Sequence, residues 1–477
     1  MATTVRVRGR WRWQLLIALT SLALLALTFV SHLNPQLGLL GNHPRPAFLP
    51  PADSRQTCDA ANACTGGKSS LSTSINRESI SDSNGSLELV DRESVEPAET
   101  NQLAVSASEN VRGVPSLKKK RNGELYYNWK LFEHDYKEML QRFRIYVYQD
   151  VYNNDDVYAN VFMRHKHPYD PKLGNYFSEH MFKINLLDSH FLTSNPSEAN
   201  LFYLPFSINV MRNDPRIRSD TTIPEFVAKY VERITREFDF WNKSHGADHF
   251  YVCCHSVGKE ASAKSPYLQR NAMQVACSSN NYHKFYVPHK DVPLAQVWPR
   301  PPEPQITPPK QRKRLAFYAG RAQNSRVRSH LISLWGNDTD MDIYADKIRG
   351  SYPEAFRRSK YCLHVKGYDV NTARISDALH YGCVPVLISD YYDLPFANVL
   401  DWSKFSVIIS HMDIPQLKDI LLSISDASYS QLHENVLKVR KHFSWHKKPE
   451  DYDTFHMTIY QLWLRRNIIS PLNTNQN

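Results

Sequence analysis

From its apolar and polar positions, the stretch from Tyr361 to Phe396 is predicted to form a strand, a loop, a helix, a strand and a loop. The first six residues of this stretch form an apolar run of strand length, and a helical pattern that Asn371 or Thr372 can cap follows it. A second β-rich run, Val384–Ser389, completes the pattern. Two strands joined by one helix predict a parallel βαβ unit, and such sheets bind ligands where strands end and helices begin.

Strand-like and helix-like patterns also alternate over much of the remaining chain. In its first part they predict strands at Phe143–Tyr148, Leu201–Phe206, Phe250–His255 and Phe285–Val287, and helices at Tyr176–Ser189 and Ile223–Asn242. In its second part they predict strands at Leu315–Ala319 and Phe405–Ser410, and helices at Ile414–Ile424, Tyr429–Phe443 and Asp451–Arg466. Strands that alternate with helices in this way predict two α/β domains.

The first 122 residues carry a different pattern. Leu15–Val30 is apolar apart from Thr and Ser, and with its flanks it is long enough to cross a bilayer. Four arginines precede it, so the positive-inside rule places the amino end in the cytosol and the rest across the membrane. A cleaved signal peptide is the alternative, which the long apolar run and the lack of an A-x-A site disfavour. Residues 34–122 are rich in Ser, Asn, Glu, Pro and Thr and predict a disordered stem.

These patterns give the chain a linear order of segments. We predict a cytosolic tail (1–13), a transmembrane signal anchor (14–33), a disordered lumenal stem (34–122), an N-terminal α/β domain (123–297), a proline-rich linker (298–313), a second α/β domain (314–450) and a C-terminal helix and tail (451–477). Sequons for N-glycosylation at Asn84, Asn242 and Asn337 fit a lumenal body.

Charge and cysteine content narrow the choice of partners. The net charge of +10 and the pI of about 9.1 favour an acidic partner, such as nucleic acid, a membrane surface or a sugar nucleotide. Apart from the N-terminus and Lys118–Arg121 the charge is spread out, which disfavours a nucleic-acid face. No cysteine pair has zinc-ligand spacing with partner histidines, so no metal site is predicted. Cys362 and Cys383 are interpreted as buried strand residues rather than nucleophiles.

Two places in the second domain have the chemistry to hold an anion. Arg374 and Asp377 lie three residues apart on one face of the predicted helix, where they could hold a phosphate and a ribose. Arg321 follows a strand, and Arg326 and Arg328 come near the next helix N-terminus, where backbone N–H groups and the helix dipole attract anions. The alternatives are a surface salt bridge for the first pair and exposed loop arginines for the second group.

From Phe143 to Arg466 the chain resembles the exostosin-like glycosyltransferases of family 47, most closely the plant branch. The segments that carry the resemblance recur in order, and they are FRIYVY, YFSEHMFKINLLDSHFLTSNPSEANLFYLPFSINV, FWNKSHGADHFYVCCH, HKDVPL, RLAFYAGRAQNSRVR, SKYCLHVKGYDVNTARISDALHYGCVPVLISDYYDLPFANVLDW and FHMTIYQLWLRR. The resemblance implies a GT-B fold, in which two Rossmann-like domains face each other across a cleft, with the donor nucleotide mainly on the second domain and the acceptor on the first. It also implies inverting transfer from a UDP-sugar without a cofactor or an obligatory bound metal.

The resemblance also implies which residues bind the donor. Without a metal, arginines and a helix N-terminus must neutralise the leaving diphosphate. The implied donor-binding residues are Gly320, Arg321, Lys366, Arg374 and Asp377. Asp377 stands where relatives usually carry Glu, the residue expected to bind the ribose hydroxyls.

Inverting transfer also needs a base to take the proton of the acceptor hydroxyl. The first domain offers Glu179, His180, Asp248, His249 and His255, and of these we take Glu179 and His255 as the catalytic candidates. The alternatives are a capping carboxylate for Glu179 and a structural histidine for His255. Relatives commonly read HDWG where this chain has His255-Ser-Val-Gly258, so the chain lacks an aspartate beside the expected acceptor cleft.

The leading functional hypothesis is a Golgi type II membrane glycosyltransferase that builds a cell-wall or matrix polysaccharide. Its expected partners are a UDP-sugar, a polysaccharide acceptor, the Golgi membrane and other glycosyltransferases in a homo- or hetero-complex, and not nucleic acid. A non-catalytic component of a Golgi polysaccharide synthase complex is the alternative. A nucleotide-dependent oxidoreductase is disfavoured because no G-x-G-x-x-G follows a predicted strand.

Overall fold

The computed structural model describes residues 125–148, 158–162, 167, 169–300, 304–348 and 350–466. The predicted cytosolic tail, transmembrane anchor and stem lie outside the described residues, and so does the sequon at Asn84. Within the described part of the chain, no helix is both long enough and apolar enough to span a bilayer.

The first part of the described chain forms a six-stranded sheet whose strands all pair in parallel. Its elements in chain order are α1 (Trp129–Arg142), β1 (Ile145–Val147), α2 (Ala159–Phe162), α3 (Phe177–Leu187), β2 (Leu192–Thr193), β3 (Leu201–Tyr203), α4 (Ile208–Asn213), α5 (Thr222–Glu237), α6 (Phe240–Ser244), β4 (His249–Cys253), α7 (Pro266–Asn271), β5 (Met273–Ala276) and β6 (Val292–Pro293). The strand order is β2-β1-β3-β4-β5-β6. Along β4, Phe250 and Val252 enter one apolar cluster and Tyr251 and Cys253 another, so both faces of the sheet are covered.

The second part forms a five-stranded parallel sheet of order β11-β10-β9-β7-β8. Its elements are β7 (Arg314–Ala319), α8 (Arg326–Trp335), β8 (Met341–Tyr344), α9 (Tyr352–Arg358), β9 (Ser359–Val365), α10 (Arg374–His380), β10 (Val384–Ile388), β11 (Val407–Ile408), α11 (Leu417–Ser423), α12 (Asp426–Val439) and α13 (Thr454–Arg465). The βαβ unit predicted around residues 361–389 is β9-α10-β10, and it lies at the centre of this sheet. The α/β fold class is therefore confirmed.

The last helix, α13, packs against elements of the first sheet rather than the second. The ring of Phe455 lies 5.9 Å from that of Phe182 on α3, and the ring of Trp463 lies 5.7 Å from that of Phe143. Ten consecutive residues of α13, from Thr454 to Trp463, are buried. Helix α13 therefore contributes to the core around the first sheet.

The structure corrects four of the predicted elements. Phe285–Val287 is not a strand, because the sheet uses β5 and β6 on either side of it and Phe285 O accepts a hydrogen bond from the Gln274 side chain instead. The predicted helix Ile223–Asn242 breaks at Phe238, which is extended and separates α5 from α6. The helix predicted at Ile414–Ile424 begins as a 3₁₀ turn containing Pro415 and becomes α-helical only at α11. The N-cap position of α10 is Ala373 rather than Asn371 or Thr372, although Thr372 Oγ1 accepts a hydrogen bond from the Arg374 N–H at 3.3 Å.

Four of the cysteines form two disulfide bonds. Cys254 is bonded to Cys277, and Cys362 is bonded to Cys383. Cys362 lies on β9 and Cys383 directly precedes β10, and both are buried as expected. The expectation that they are simple strand residues was nevertheless incomplete, because the two adjacent strands bring them close enough to bond. Among the described cysteines only Cys253 is free, and it is buried.

Candidate active site

A cavity of about 850 Å³ is lined by residues from the carboxyl ends of both sheets. The first sheet contributes Cys254, directly after β4, and Ser278, two residues after β5. The second contributes Gly320, directly after β7, and Gly367, two residues after β9. Parallel α/β sheets bind their ligands at this edge, so the cavity is the candidate active site.

Arg374 lines the cavity and is tethered to the end of β7. Its Nε and Nη2 atoms both donate to Ala319 O, at 3.0 and 2.7 Å. A Cβ atom on Gly320 would lie 2.9 Å from Nη2, so this approach requires glycine at position 320. The Nη1 edge of Arg374 forms no hydrogen bond with any described residue, so it is available to a ligand.

Arg328 repeats this arrangement at the end of β9. It lies in the first turn of α8, is buried, and donates from Nε and Nη2 to Val365 O at 3.2 and 3.1 Å. A Cβ atom on Gly367 would lie 2.6 Å from Nη2 of Arg328, so glycine again leaves room for a guanidinium. Burial lowers the pKa of Arg328, and the nearby Tyr318 opposes this effect. The sequence grouped Arg328 with Arg326, but only Arg328 lines the cavity.

The hydroxyl of Tyr318 lies beside these two guanidinium groups. It is buried and has no hydrogen-bond partner among the described residues. A Cβ atom on Gly320 would lie 2.7 Å from this Oη, so Tyr318 Oη and Arg374 Nη2 approach the same point next to Gly320. Burial raises the pKa of Tyr318, although Arg328 and Arg374 oppose the rise. Tyr318 therefore keeps its proton at neutral pH and offers an unused O–H donor, which the sequence did not indicate.

Arg300 extends from the predicted linker to the helix that carries the donor-site residues. Its Nη1 donates to Ser376 O at 2.7 Å, and its Nη2 lies 2.8 Å from Oδ1 of Asp377. Its Nε is buried and has no hydrogen-bond partner among the described residues. Burial raises the pKa of Asp377, and the cations Arg300 and Arg374 oppose this rise. Arg300 was missed because the proline-rich composition around it indicated only a linker.

Aromatic side chains form another part of the cavity wall. The rings of Phe317 and Phe356 lie 5.2 Å apart, and the rings of Phe356 and Tyr381 lie 5.6 Å apart and nearly parallel. All three residues line the cavity. The lining thus combines aromatic faces, which suit a nucleobase, with guanidinium groups, which suit phosphate.

Two of the predicted donor-site residues are less well placed. Five cations and three carboxylates line the cavity, so its charge favours an anionic ligand. Arg321 is one of the cations, but its side chain is 60% exposed and lies 3.8 Å from the exposed carboxylate of Asp346. Lys366 does not line the cavity, although its neighbour Gly367 does. Of the donor-site residues indicated by the sequence, the structure therefore brings Gly320, Arg374 and Asp377 together most closely.

Glu179 lies outside the cavity lining and is fully engaged. Its Oε1 accepts hydrogen bonds from Ser207 Oγ at 2.6 Å and from the Asn209 N–H at 3.1 Å, and its Oε2 accepts one from the Cys254 N–H at 2.9 Å. Burial raises the pKa of Glu179, and these hydrogen bonds oppose the rise. The carboxylate thus ties α3 to the start of α4 and to the end of β4.

His255 follows the same strand, next to the cavity residues Cys254 and Ser256. Its Nδ1 accepts a hydrogen bond from the Val257 N–H at 3.2 Å, and its ring stacks on that of Tyr176 at 5.1 Å. Burial, aided by Arg212, lowers the pKa of His255 to about 4. At neutral pH the imidazole is therefore uncharged and carries its proton on Nε2.

Polar contacts join the loop after β9 to the first sheet across the cavity. Lys259 Nζ lies 2.5 Å from Oδ2 of Asp369, and both side chains are largely buried. Asn371 accepts a hydrogen bond from Ser278 Oγ at 2.8 Å and donates one to Gln296 Oε1 at 3.0 Å. Asn371, which was expected to cap a helix, therefore holds the two walls of the cavity together.

Two predicted glycosylation sites and one group of possible metal ligands lie away from the cavity. Asn242 and Asn337 are exposed, and their glycosylation stays a prediction. In the described part of the chain, one group of side chains has the spacing of metal ligands, namely His134, Asp135 and Glu138 on α1, and none of them lines the cavity.

The exostosin GT47 domain family matches residues 139–424, a range that contains all eleven described strands and most of the cavity lining. The chain belongs to the exostosin GT47 family. This GT47 chain is 37% identical over 356 residues to a probable glycosyltransferase of Arabidopsis thaliana, an alignment that covers 72% of the chain and 66% of that relative. It is 33% identical over 363 residues to a second probable glycosyltransferase of the same plant, covering 72% of the chain and 73% of the relative. A crystal structure of TarM covers 51% of this chain and 58% of that one at 10% identity and a TM-score of 0.28, which is too low to support any inference.

Proposed function

We propose that this GT47 protein is a Golgi type II membrane glycosyltransferase that transfers a sugar from a UDP-sugar, with inversion, to a cell-wall or matrix polysaccharide. Its body takes the GT-B arrangement, with the donor on the second sheet and the acceptor on the first. One observation carries the proposal. Arg374 and Arg328 are each fixed by two hydrogen bonds to a carbonyl oxygen at the end of a strand, and both line one cavity.

A UDP group matches the different parts of this cavity. The diphosphate would bind to Arg374 and Arg328, which both line the cavity. The uracil would lie against the aromatic wall that includes Phe317 and Phe356, and the ribose hydroxyls would donate to Asp377. Because the arginines are already held by the strand ends, they need little reorganisation when negative charge develops on the leaving group.

The transfer forms one bond, breaks another and moves one proton. The oxygen of an acceptor hydroxyl forms a bond to the anomeric carbon, and the bond from that carbon to the β-phosphate oxygen breaks on the opposite face. UDP leaves with the bonding electron pair, and guanidinium groups rather than a divalent cation neutralise it in this proposal. The hydroxyl proton passes to a base. Neither Glu179 nor His255 lines the cavity. Their catalytic roles stay predictions.

The cellular location in this proposal rests on the sequence. The arginine-rich start, the apolar stretch Leu15–Val30 and the stem predict a single-pass anchor with the body in the lumen. Two disulfide bonds in the described body are compatible with an oxidising compartment.

A second candidate function is a non-catalytic component of a Golgi polysaccharide synthase complex. It is favoured by the engagement of Glu179 in three hydrogen bonds and by the lowered pKa of His255. A protein of this kind would keep the fold and would bind UDP weakly or not at all.

A donor screen tests the proposal directly. The full-length protein would be incubated in detergent with a panel of UDP-sugars, with and without plant cell-wall oligosaccharides, and UDP release would be measured. We expect one UDP-sugar to be consumed in an acceptor-dependent way, and the Arg374→Ala variant to be inactive while still being folded. Absence of both UDP binding and UDP release in the wild-type protein would refute the proposal and support the non-catalytic alternative.

A further inference from the structure

Two exposed tyrosine rings, one from each part of the chain, lie against each other outside the cavity lining. Tyr282 belongs to the segment between β5 and β6 and is 81% exposed, and Tyr391 follows β10 and is 59% exposed. Their ring centres lie 5.3 Å apart with an angle of 35° between the planes. Both rings are therefore open to a ligand from solution.

The backbone beneath Tyr391 is held in an unfavourable conformation. Its φ angle is +65°, in the left-handed region that a bulky side chain rarely adopts. The Asn281 N–H donates to Tyr391 O at 2.9 Å, and an antiparallel bridge joins Asn280 to Tyr392. Strain that the surrounding structure maintains is commonly associated with ligand binding. Here the strained residue keeps its aromatic ring next to that of Tyr282.

The segment that forms this bridge also contributes a residue to the cavity wall. Ser278, two residues before Asn280, donates to Asn371 at 2.8 Å, and both Ser278 and Asn371 line the cavity. On the other side, Ser279 Oγ donates to Asp393 O at 2.7 Å, which fixes the segment after Tyr391. The tyrosine pair is therefore rigidly connected to the margin of the candidate active site.

We propose that Tyr282 and Tyr391 bind the acceptor glycan, as a subsite for sugar units beyond the one that receives the transferred sugar. This inference rests on the proposed function, because it assumes that the cavity transfers a sugar. The faces of pyranose rings carry C–H groups that pack on aromatic rings, and sugar hydroxyls pair with amides such as that of the exposed Asn281.

The surroundings of the pair favour a glycan over a protein partner. The core of a protein interface is usually a closely packed group of apolar and aromatic side chains from which water is excluded. Asn281 and Lys284, which flank Tyr282 in the sequence, are exposed, and Asp390, which precedes Tyr391, is partly exposed. Isolated aromatic faces among hydrogen-bonding side chains match the alternating apolar and polar surfaces of a sugar chain.

The test compares glycan length with the full-length protein in detergent. The probes are hexamers and dimers of β-1,4-linked xylose, β-1,4-linked glucose and α-1,4-linked galacturonic acid, and binding is measured by microscale thermophoresis. We expect at least one hexamer to bind about tenfold more tightly than its dimer, and Tyr282→Ala and Tyr391→Gly each to weaken hexamer binding by about threefold to tenfold. Glycine tolerates the φ angle at position 391, so this variant removes the ring without added strain.

Three further measurements make the result decisive. Tyr282→Phe, which keeps the ring, should retain most of the hexamer affinity. Tyr267→Ala removes an exposed tyrosine that takes no part in the Tyr282–Tyr391 pair, and it should change nothing. UDP affinity should be equal in all variants, so a loss of glycan binding is distinguishable from a failure of the donor site.

Failure of every hexamer to bind, or an unchanged ratio of hexamer to dimer affinity in both ring-removing variants, would overturn the subsite. Loss of a co-purifying protein with unchanged glycan binding would overturn it in favour of a protein contact.

Discussion

Arg300 Nη2 lies 2.8 Å from the Oδ1 atom of Asp377, so the carboxylate expected to bind a ribose already has a cationic partner. The two roles are compatible, because a carboxylate has about four acceptor positions. The pair also fixes the predicted linker to α10, since Arg300 donates to Ser376 O on the same helix. The carboxylate of Asp377 is thus held in place by an arginine from outside its own helix.

The ribose role of Asp377 predicts a preference for UDP over 2′-deoxy-UDP. A hydrogen bond to a charged group contributes about 1.5–3 kcal/mol, which corresponds to a preference of about tenfold or more. Isothermal titration of the wild-type protein should show this preference, and Asp377→Asn should reduce it while Asp377→Glu retains it. If Asp377→Asn weakened the binding of both nucleotides by the same factor, the carboxylate would serve only to hold Arg300.

Gly320 is expected to be essential for donor binding although it carries no side chain. A methyl group there would meet Tyr318 Oη at 2.7 Å and Arg374 Nη2 at 2.9 Å, so Gly320→Ala should displace the guanidinium. We expect the Kd for UDP to rise by about tenfold, equivalent to about 1.4 kcal/mol. Gly350→Ala is the matched control, because nothing lies within 4 Å of its added Cβ. Equal UDP affinity in the two variants would contradict the tethered geometry of Arg374.

Arg328 and Arg326 lie in the first turn of α8 and provide a matched pair. Arg328→Lys keeps the positive charge but loses the pair of hydrogen bonds to Val365 O, so it should weaken UDP binding by about tenfold. Arg326→Lys changes an exposed residue outside the cavity lining and should leave UDP affinity unchanged. Thermal melts should accompany the titration, since Arg328 is buried. Similar UDP affinities for a folded Arg328→Lys and for Arg326→Lys would remove Arg328 from the donor site.

The lowered pKa of His255 predicts the form of the pH–rate profile. If His255 is the base, kcat/KM should rise with pH around 4 and stay flat from about pH 5 to 8, and His255→Gln should remove the rise. A limb near pH 6.5 that disappears in His255→Gln would show that the imidazole has an ordinary pKa.

The same shift affects stability with a definite sign. Since the folded pKa lies below the ordinary value of about 6.5, the stabilising contribution of neutral His255 is fully present above pH 6.5 and is lost as the pH falls through about 4. In thermal melts, the destabilisation between pH 6.5 and 4 should therefore be smaller for His255→Gln than for the wild-type protein.

The sequence was a good guide where a single local pattern decided the outcome. The β9-α10-β10 unit and the position of Arg374 at a helix start both follow from apolar spacing and one glycine. The strands β5 and β6 were missed because they are short and the aromatic run at Phe285–Val287 between them has the more strand-like composition.

Long-range contacts explain most of what the sequence could not indicate. The disulfide between Cys254 and Cys277 depends on the pairing of β4 with β5, and the place of Arg328 depends on the proximity of α8 to the end of β9. Lys366 and Gly367 are adjacent in sequence, yet only Gly367 lines the cavity, which shows how little proximity in sequence says about a site.

The account depends on arginines that bind a diphosphate without a divalent cation, and titration of UDP and uridine in buffer with EDTA tests this most directly. The wild-type protein should bind UDP about 100-fold more tightly than uridine, which corresponds to about 2.7 kcal/mol from the diphosphate, and Arg374→Ala should lose most of that difference. Equal affinities for UDP and uridine in EDTA, or a preference for UDP that appears only when Mg²⁺ or Mn²⁺ is added, would contradict it.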